Sequence, residues 1–380
     1  MDAPGHLRAY LDWNASAPLR PEAREALLAS LDRFGNPSSP HREGREARDL
    51  LEASREEVAA FLGSEPGEVV FTSGGTEANN LALASLAAGA GRRCFAASRL
   101  EHPSVLRPLE ALEQEGWEAR WLAVGEDGRA GVASLEGVGF GVLQAANQET
   151  GALQPVGAFA EEARAAGIPW HCDAVQAWGR VALRAADLGC ATASLSGHKL
   201  GAPKGVGALY VGRGTAVEPL LRGGPQERGR RAGTENLPGI AALAAACAAA
   251  ARDRKADAAW TAGLRDRVVL GVRALAPLAW WNGPEDAALL LPNTACLSLP
   301  GQEGEALVQA LDLEGVGISS GPACASGAAE PSPTLRAMGV PEWRVRGAIR
   351  VSLGPTTQAK EVDRFLEALA TVLERMRAAG

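Results

Sequence analysis

The sequence predicts an α/β protein, with a large domain on a mostly parallel mixed sheet flanked by helices and a smaller α+β domain. Three observations predict it. Short apolar runs alternate with runs of helical period from about residue 68 to residue 200. Polar residues recur where the strand-like runs end, which is the ligand-binding edge of an open parallel sheet. From about Arg252 the character shifts to charged helical sequence and then to short, separate strands. The large domain is assigned to residues 15–255, and the small domain to residues 1–14 with 256–380.

The elements follow in order. LDWNASAPL (11–19) is a turn-rich opening. Residues 21–34 carry Ala26, Leu27, Leu31 and Phe34 at helical spacing, with Pro21 in the first turn. GNPSSPH (35–41) breaks that helix, and a charged helix follows to about Leu62. Residues 68–72 read as a strand, 73–76 as a glycine turn and 77–88 as a helix. This strand, Gly-Gly-Thr turn and helix N-terminus present free N–H groups to an anion such as phosphate. A plain turn with Thr76 as N-cap fits the same residues. Then come strands at 93–98, 118–124, 139–146 and 168–172, with helices at 105–115 and 158–166. His102, Gln148, Asp173 and Lys199 all fall at strand ends.

Lys199 lies in ASLSGHKLGAPKGVGALYV (193–211), on the connection between two strand-like runs. Ser196, Gly197 and His198 precede it and a Gly-Ala-Pro-Lys-Gly turn follows. The segment is either a basic hairpin loop or a place where an amine is held, partly desolvated, against a carbonyl as a Schiff base. Asp173, in HCDAVQAWG at a strand-to-helix junction, is either an N-cap or a carboxylate that keeps a heteroaromatic nitrogen protonated. A phosphate turn, a pyridinium partner and a Schiff-base lysine together call for pyridoxal phosphate. His102, at another strand end, suits stacking on a flat cofactor. GGPQERGRRAGTENLPG (223–239) is a flexible loop or a second anion-binding segment. Cys324 sits in SSGPACASGAAEPS (319–332), a polar loop of small residues, as an incidental thiol or an exposed nucleophile. Arg350, inside the apolar run AIRVSL, calls for a partner such as a substrate carboxylate.

Composition narrows the class. The 380 residues are 46% hydrophobic and 22% charged, as in ordinary soluble globular proteins. A net charge of −7 without like-charge blocks argues against nucleic acid and anionic membrane as partners. No signal peptide is expected, and the longest apolar run (239–251) reads as a buried alanine-rich helix too short to span a bilayer. The six cysteines form no CxxC pair, so neither a metal site nor a disulfide framework is expected, and a cytoplasmic location is.

The chain resembles the cysteine desulfurases of the NifS/IscS type, in the class V aminotransferase family of pyridoxal-phosphate enzymes (fold type I, aspartate aminotransferase-like). The resemblance rests on LDWNASAPL, FGNPSS, FTSGGTEANN, EHPSVL, NQETG, HCDAVQ, SGHK with PKGVGALYV, RAGTEN, SSGPACASG with EPS, and IRVSLG, in family order. It implies that Lys199 carries the cofactor as a Schiff base, Asp173 pairs with the pyridinium nitrogen, Gln176 bonds the ring hydroxyl, and His102 stacks on the ring and moves protons. Gly75, Thr76, Ser196 and His198 would bind the phosphate, with Thr234 reaching in from the second subunit of a homodimer. Gln148 would reach cofactor or substrate, Arg350 would hold the carboxylate of L-cysteine, and Cys324 would take its sulfur as a persulfide. An acceptor protein, such as an iron–sulfur scaffold, would receive that sulfur. Three departures are visible: Gln148 replaces the family's second asparagine, Gly201-Ala202 replace an aromatic and a glycine after the lysine, and LDWNASAP replaces the commoner LDNAATTP. A selenocysteine lyase or cysteine sulfinate desulfinase on the same fold is the alternative activity, and a non-catalytic cofactor-binding scaffold the alternative of another class.

Overall fold

The computed structural model describes residues 8–321 and 332–379. The chain begins with β1 (Ala9–Tyr10), α1 (Pro21–Ser30) and α2 (Arg42–Leu62). It then alternates through β2 (Val69–Thr72), α3 (Gly75–Gly89), β3 (Cys94–Ser98), α4 (Pro103–Gln114), β4 (Glu118–Leu122), β5 (Phe140–Val142), α5 (Val156–Ala166), β6 (Trp170–Asp173), α6 (Ala185–Leu188), β7 (Thr192–Ser196) and β8 (Gly207–Val211). The long helix α7 (Leu237–Leu275) leads into β9 (Trp280–Trp281), β10 (Thr294–Ser298), α8 (Gly304–Leu313), β11 (Val316–Gly317), α9 (Pro333–Ala337), α10 (Glu342–Arg346), β12 (Ala348–Ser352) and α11 (Ala359–Ala379).

The fold is α/β, with the mostly parallel mixed sheet that the alternation of elements predicts. Seven strands form the central sheet in the order β2-β8-β7-β6-β5-β3-β4. Only β8 runs against the others, pairing antiparallel with both β2 and β7. The carboxyl ends of β2, β3, β5, β6 and β7 therefore share one edge. Strands buried on both faces need apolar or small residues at every position, and β2, β3, β6 and β7 are buried throughout. A second sheet, β12-β10-β9, is antiparallel, and β1 pairs with β11.

Each sheet has its own core. Leu62, Phe71, Trp170, Trp178, Leu195 and Leu243 belong to one, and Leu297, Leu307, Ile349, Val351 and Phe365 to the other. Helix α7 serves both: Ile240, Leu243 and Cys247 pack into the first, and Leu264, Val268 and Val272 into the second. The compositional shift at Arg252 thus falls inside one continuous helix.

Three local expectations change. Helix α1 stops at Ser30, whose hydroxyl bonds back to the Leu27 carbonyl. Leu31 and Phe34 are 58% and 84% exposed, so the apolar spacing there marks a surface rather than a buried helical face. Helix α3 starts at Gly75 with Gly74 as N-cap, so Thr76 lies within the first turn and does not cap it. Asp173 ends β6 and turns follow it; its Oδ1 accepts the Val175 N–H at 3.1 Å, which closes a side-chain turn in place of a helix cap. No helix among the described residues is long and apolar enough to cross a membrane.

Candidate active site

A cavity of about 490 Å³ opens at the carboxyl edge of the central sheet. That is within the roughly 300–1,000 Å³ of small-molecule sites. Gly75, Thr76, His102, Gln148, Asp173, Gln176, Ser196, His198, Lys199 and Arg350 all line it. Thr234 does not; it is exposed on the connection before α7. Cys324 lies outside the described residues. The other five cysteines are free and buried, and burial pushes the Cys190 and Cys296 thiols up to about 12.

The glycine turn and α3 build one wall. Gly74 sits at φ 154°, a backbone region that L side chains rarely adopt. A Cβ on Gly75 would lie 2.9 Å from Val175 Cγ2 and 3.2 Å from Ser196 Cβ, so the turn can only lie this close to β7 as glycine. The N-cap has no side chain to satisfy the first N–H groups of the 15-residue α3. They remain available to an anion, beside Ser196 and His198. Burial and the nearby Lys199, Lys204 and Arg180 depress the His198 pKa to about 4.

On the opposite side, the Lys199 amine donates to the Asn14 carbonyl at 2.6 Å and the Ala15 carbonyl at 2.8 Å. These acceptors fix where the ammonium group points, although they lie 185 and 184 residues away. Asn14 ties several walls together. Its carbonyl also accepts from Gln176 Nε2 at 3.1 Å, and its side chain donates to the Gln148 carbonyl at 3.1 Å. Gln176 Oε1 accepts from Arg180 Nη1 at 2.5 Å. One Gln176 amide hydrogen is left for a ligand.

Asn79 forks between the two central polar groups. Its Nδ2 donates to Asp173 Oδ2 and to Ser104 Oγ, each at 2.8 Å. Its Oδ1 faces His171 Nε2 at 2.9 Å, so that nitrogen carries the imidazole proton. Burial depresses the His171 pKa and keeps the ring neutral, against the pull of Asp173. Ser104 passes the pattern to His102: its N–H donates to His102 Nδ1 at 3.1 Å and its hydroxyl lies 2.7 Å from the same atom. Nδ1 is therefore the acceptor, and the neutral His102 ring holds its proton on Nε2. Burial, reinforced by Lys199 and opposed by Asp173, lowers the His102 pKa.

Arg350 closes the substrate side. It is 2% exposed, donates Nη2 to Asp12 Oδ1 at 2.7 Å and Nη1 to the Gln148 carbonyl at 3.2 Å, and leaves Nε without a partner. Arg350 lines the cavity, and a buried guanidinium that keeps an unpaired donor calls for a further acceptor. These residues fit pyridoxal phosphate with a carboxylate substrate: an uncapped helix N-terminus for the phosphate, a carboxylate for a ring nitrogen, an amine for the carbonyl carbon, and an arginine for the carboxylate. The described residues contain no cluster of metal-ligand side chains.

The class-V aminotransferase family model, described as "Aminotransferase class-V", matches residues 9–365. The chain belongs to the class-V aminotransferase family. A curated family relative, "Cysteine desulfurase" of Cereibacter sphaeroides, is 45% identical over 380 residues, covering 98% of this chain and 97% of that one. Among solved structures, a "NIFS-LIKE PROTEIN" superposes with a TM-score of 0.90 at 32% identity, covering 97% of this chain and all of that one. A second, "SspA in complex with cysteine", gives 0.76 at 28% identity, covering 92% of this chain and all of that one.

Two of the departures from the family pattern have local explanations. Gly201 takes φ 85°, and a Cβ there would lie 2.7 Å from Arg20 Cγ and 3.0 Å from the Pro18 carbonyl. Its own carbonyl accepts from the Arg20 N–H at 2.8 Å, so the loop after Lys199 is packed against residues 18–20 and has no room for an aromatic side chain. Trp13, in LDWN, packs flat on Gly354, where a Cβ would meet the indole ring at about 2.0 Å. The third departure, Gln148, keeps its place on the cavity wall. Sequence reasoning did not single out Asp12, Asn14, Asn79, Ser104 or Arg180. The only signal was local for Asn79, four residues after Gly75 on the same face of α3.

Proposed function

We propose that this class-V family enzyme is a pyridoxal-phosphate-dependent cysteine desulfurase, which converts L-cysteine to L-alanine and leaves the sulfur as a persulfide on Cys324. The observation that carries the reading is Arg350, which lines the same cavity as Lys199 and Asp173 and has a buried Nε without an acceptor. It adds a carboxylate anchor to a site whose other groups suit the cofactor. The α3 N-terminus, Thr76, Ser196 and His198 would hold the phosphate, Asp173 the ring nitrogen and Gln176 the ring hydroxyl, with His102 over the ring. The cofactor, when bound, accepts the electron pair released at the substrate's Cα. Arg350 orients the substrate, and the Lys199 amine takes the Cα proton. The Cys324 thiolate attacks the substrate sulfur, and the C–S bond breaks with its electron pair left on carbon, which is then protonated. L-cysteine plus enzyme thiol gives L-alanine plus enzyme persulfide. Carbon is reduced as sulfur is oxidised, so no outside oxidant enters.

Incubation of the cofactor-loaded protein with L-cysteine and a thiol reductant tests the reading. Equal amounts of alanine and sulfide are expected. Faster turnover of selenocysteine or cysteine sulfinate, without need of Cys324, would assign the site to the lyase or desulfinase activity instead. No turnover of any of the three would leave a scaffold.

The sulfur is destined for an acceptor protein, such as an iron–sulfur scaffold. The five free buried thiols suit a reducing, cytoplasmic setting. The enzyme works as a two-fold homodimer with shared sites. In support, Thr234 is exposed and absent from the cavity wall of its own chain, while Arg231, three residues before it, is held by Glu77 at 2.8 Å. A hydroxyl-to-phosphate bond contributes about 1.5–3 kcal/mol, so Thr234→Ala should weaken cofactor retention by roughly ten- to a hundredfold. Mixing Thr234→Ala with Lys199→Ala subunits decides whether the site is shared. In a hybrid dimer both lesions fall on one site, so about half the parental activity should return, a count of intact sites. Hybrids no more active than the two mutant proteins themselves would place Thr234 in its own chain's site or in none.

A further inference from the structure

A carboxylate stands on the wall that is to receive a phosphate. Glu77, in the first turn of α3, lines the cavity together with Gly75, Thr76, Ser196 and His198. Its Oε2 accepts the Ser73 N–H at 2.7 Å, which folds the side chain back over the glycine turn. Burial pushes the Glu77 pKa up, but the hydrogen bonds from Arg231 and Ser73 outweigh it, so the group is held below the usual carboxylate range and stays ionised. Left alone, that charge would repel the phosphate that the neighbouring N–H groups attract.

Arg231 balances it. Its Nε donates to Glu77 Oε1 at 2.8 Å and its Nη2 donates to Oε2 at 3.3 Å, a two-pronged pair. The Arg231 and Glu77 side chains are only 21% and 14% exposed, so solvent screens the pair in part. Arg231 does not itself line the cavity. It belongs to the glycine-rich, basic segment 223–239, and that segment has its own anchorage on β2. The buried Glu227 accepts from Arg55 Nη1 and Nη2 at 2.8 Å each and from the Phe71 N–H at 2.9 Å. Glu227 and Arg228 take φ 49° and 59°, left-handed values that residues other than glycine keep only where their surroundings impose them. Arg230 donates to the Gly67 carbonyl at 3.1 Å. The segment is thus built to bring Arg231 to the glycine turn from a fixed base.

We infer that Arg231 is a positioning residue for the phosphate of the cofactor, which acts through Glu77: it balances the carboxylate beside the glycine turn and so sets how tightly that turn holds a dianion. The inference rests on the assignment of the phosphate to the α3 N-terminus. It gives the two partners opposite signs. Removing the cation exposes a repelling charge, whereas removing the carboxylate leaves an attracting one.

The test measures cofactor affinity rather than turnover. The full chain and its variants are titrated with pyridoxal phosphate or with pyridoxal, which lacks the phosphate, and dissociation constants are read from the visible band. Arg231→Met should hold pyridoxal phosphate about tenfold more weakly than the parent and pyridoxal within about twofold of it. Glu77→Gln should hold pyridoxal phosphate about threefold more tightly or better, and the double variant should return to within about threefold of the parent. A merely structural clasp gives another pattern, in which either substitution weakens both forms and the double variant is no better; that result would overturn the inference. So would parental affinity in Arg231→Met. A loss that Glu77→Gln does not relieve would also overturn it, by making Arg231 a direct phosphate ligand. If Arg231→Met does not fold, Glu77→Gln decides alone: tighter binding supports the inference, and unchanged or weaker binding overturns it. Ser196→Ala separates the two layers. If it weakens pyridoxal phosphate selectively while the Arg231 and Glu77 variants match the parent, only the charge-balancing role fails; if it leaves the preference for the phosphate form unchanged, the phosphate assignment fails and the inference with it.

Discussion

Replacing Lys199 with alanine should abolish turnover of L-cysteine, by on the order of 10⁴-fold or more, because the change removes a covalent attachment and a general base together. The chain has four lysines, and only Lys199 and Lys204 line the cavity. Lys204 is therefore the one rival. The geometry separates the two: the Lys199 amine is aimed by the Asn14 and Ala15 carbonyls, and it closes the short helical turn Gly197–Lys199 that directly follows β7. Lys204 stands on the far side of the Gly-Ala-Pro turn, next to Gly205. Borohydride reduction of the yellow, cofactor-loaded protein followed by peptide mapping should find the pyridoxyl group on Lys199. Recovery of the adduct on Lys204 would overturn the assignment whatever the activity of the alanine variant.

The second large effect is expected at Cys324. Cys324→Ala should keep the cofactor and still change its visible spectrum on addition of L-cysteine, because Asp173, Gln176, Lys199 and the α3 N-terminus are untouched. It should form no persulfide and release sulfide only at the background rate. A free thiol with pKa near about 8.5 is mostly protonated at neutral pH, so transfer by Cys324 should rise with pH below that value. The five other thiols are poor substitutes: all are buried, and burial raises each of their pKa values. Sulfide release by Cys324→Ala at the parental rate would rule out a cysteine nucleophile and favour the lyase chemistry.

The parts of this protein that were legible in the sequence are those whose cause is local. Alternating runs of period two and 3.6 specify strands and helices within a dozen residues. Glycines at Gly74 and Gly75 mark a tight strand-to-helix turn, and polar residues after apolar runs mark the sheet edge where ligands bind. Those signals, with an arginine inside an apolar run, pointed to Gly75, Thr76, His102, Gln148, Asp173, Lys199 and Arg350; the family resemblance added Gln176 and gave Ser196 and His198 to the phosphate, and all ten line one cavity. The tertiary structure decided what holds those groups in place. Asn14 meets Lys199 across 185 residues, Asp12 meets Arg350 across 338, and Asn79 meets Asp173 across 94. The first of these partners is a backbone carbonyl, which every residue possesses, and the others are common polar side chains without a motif of their own. Their roles arise because burial removes water as a competitor and obliges each polar group to find its partner among whatever the fold has brought within about 3 Å.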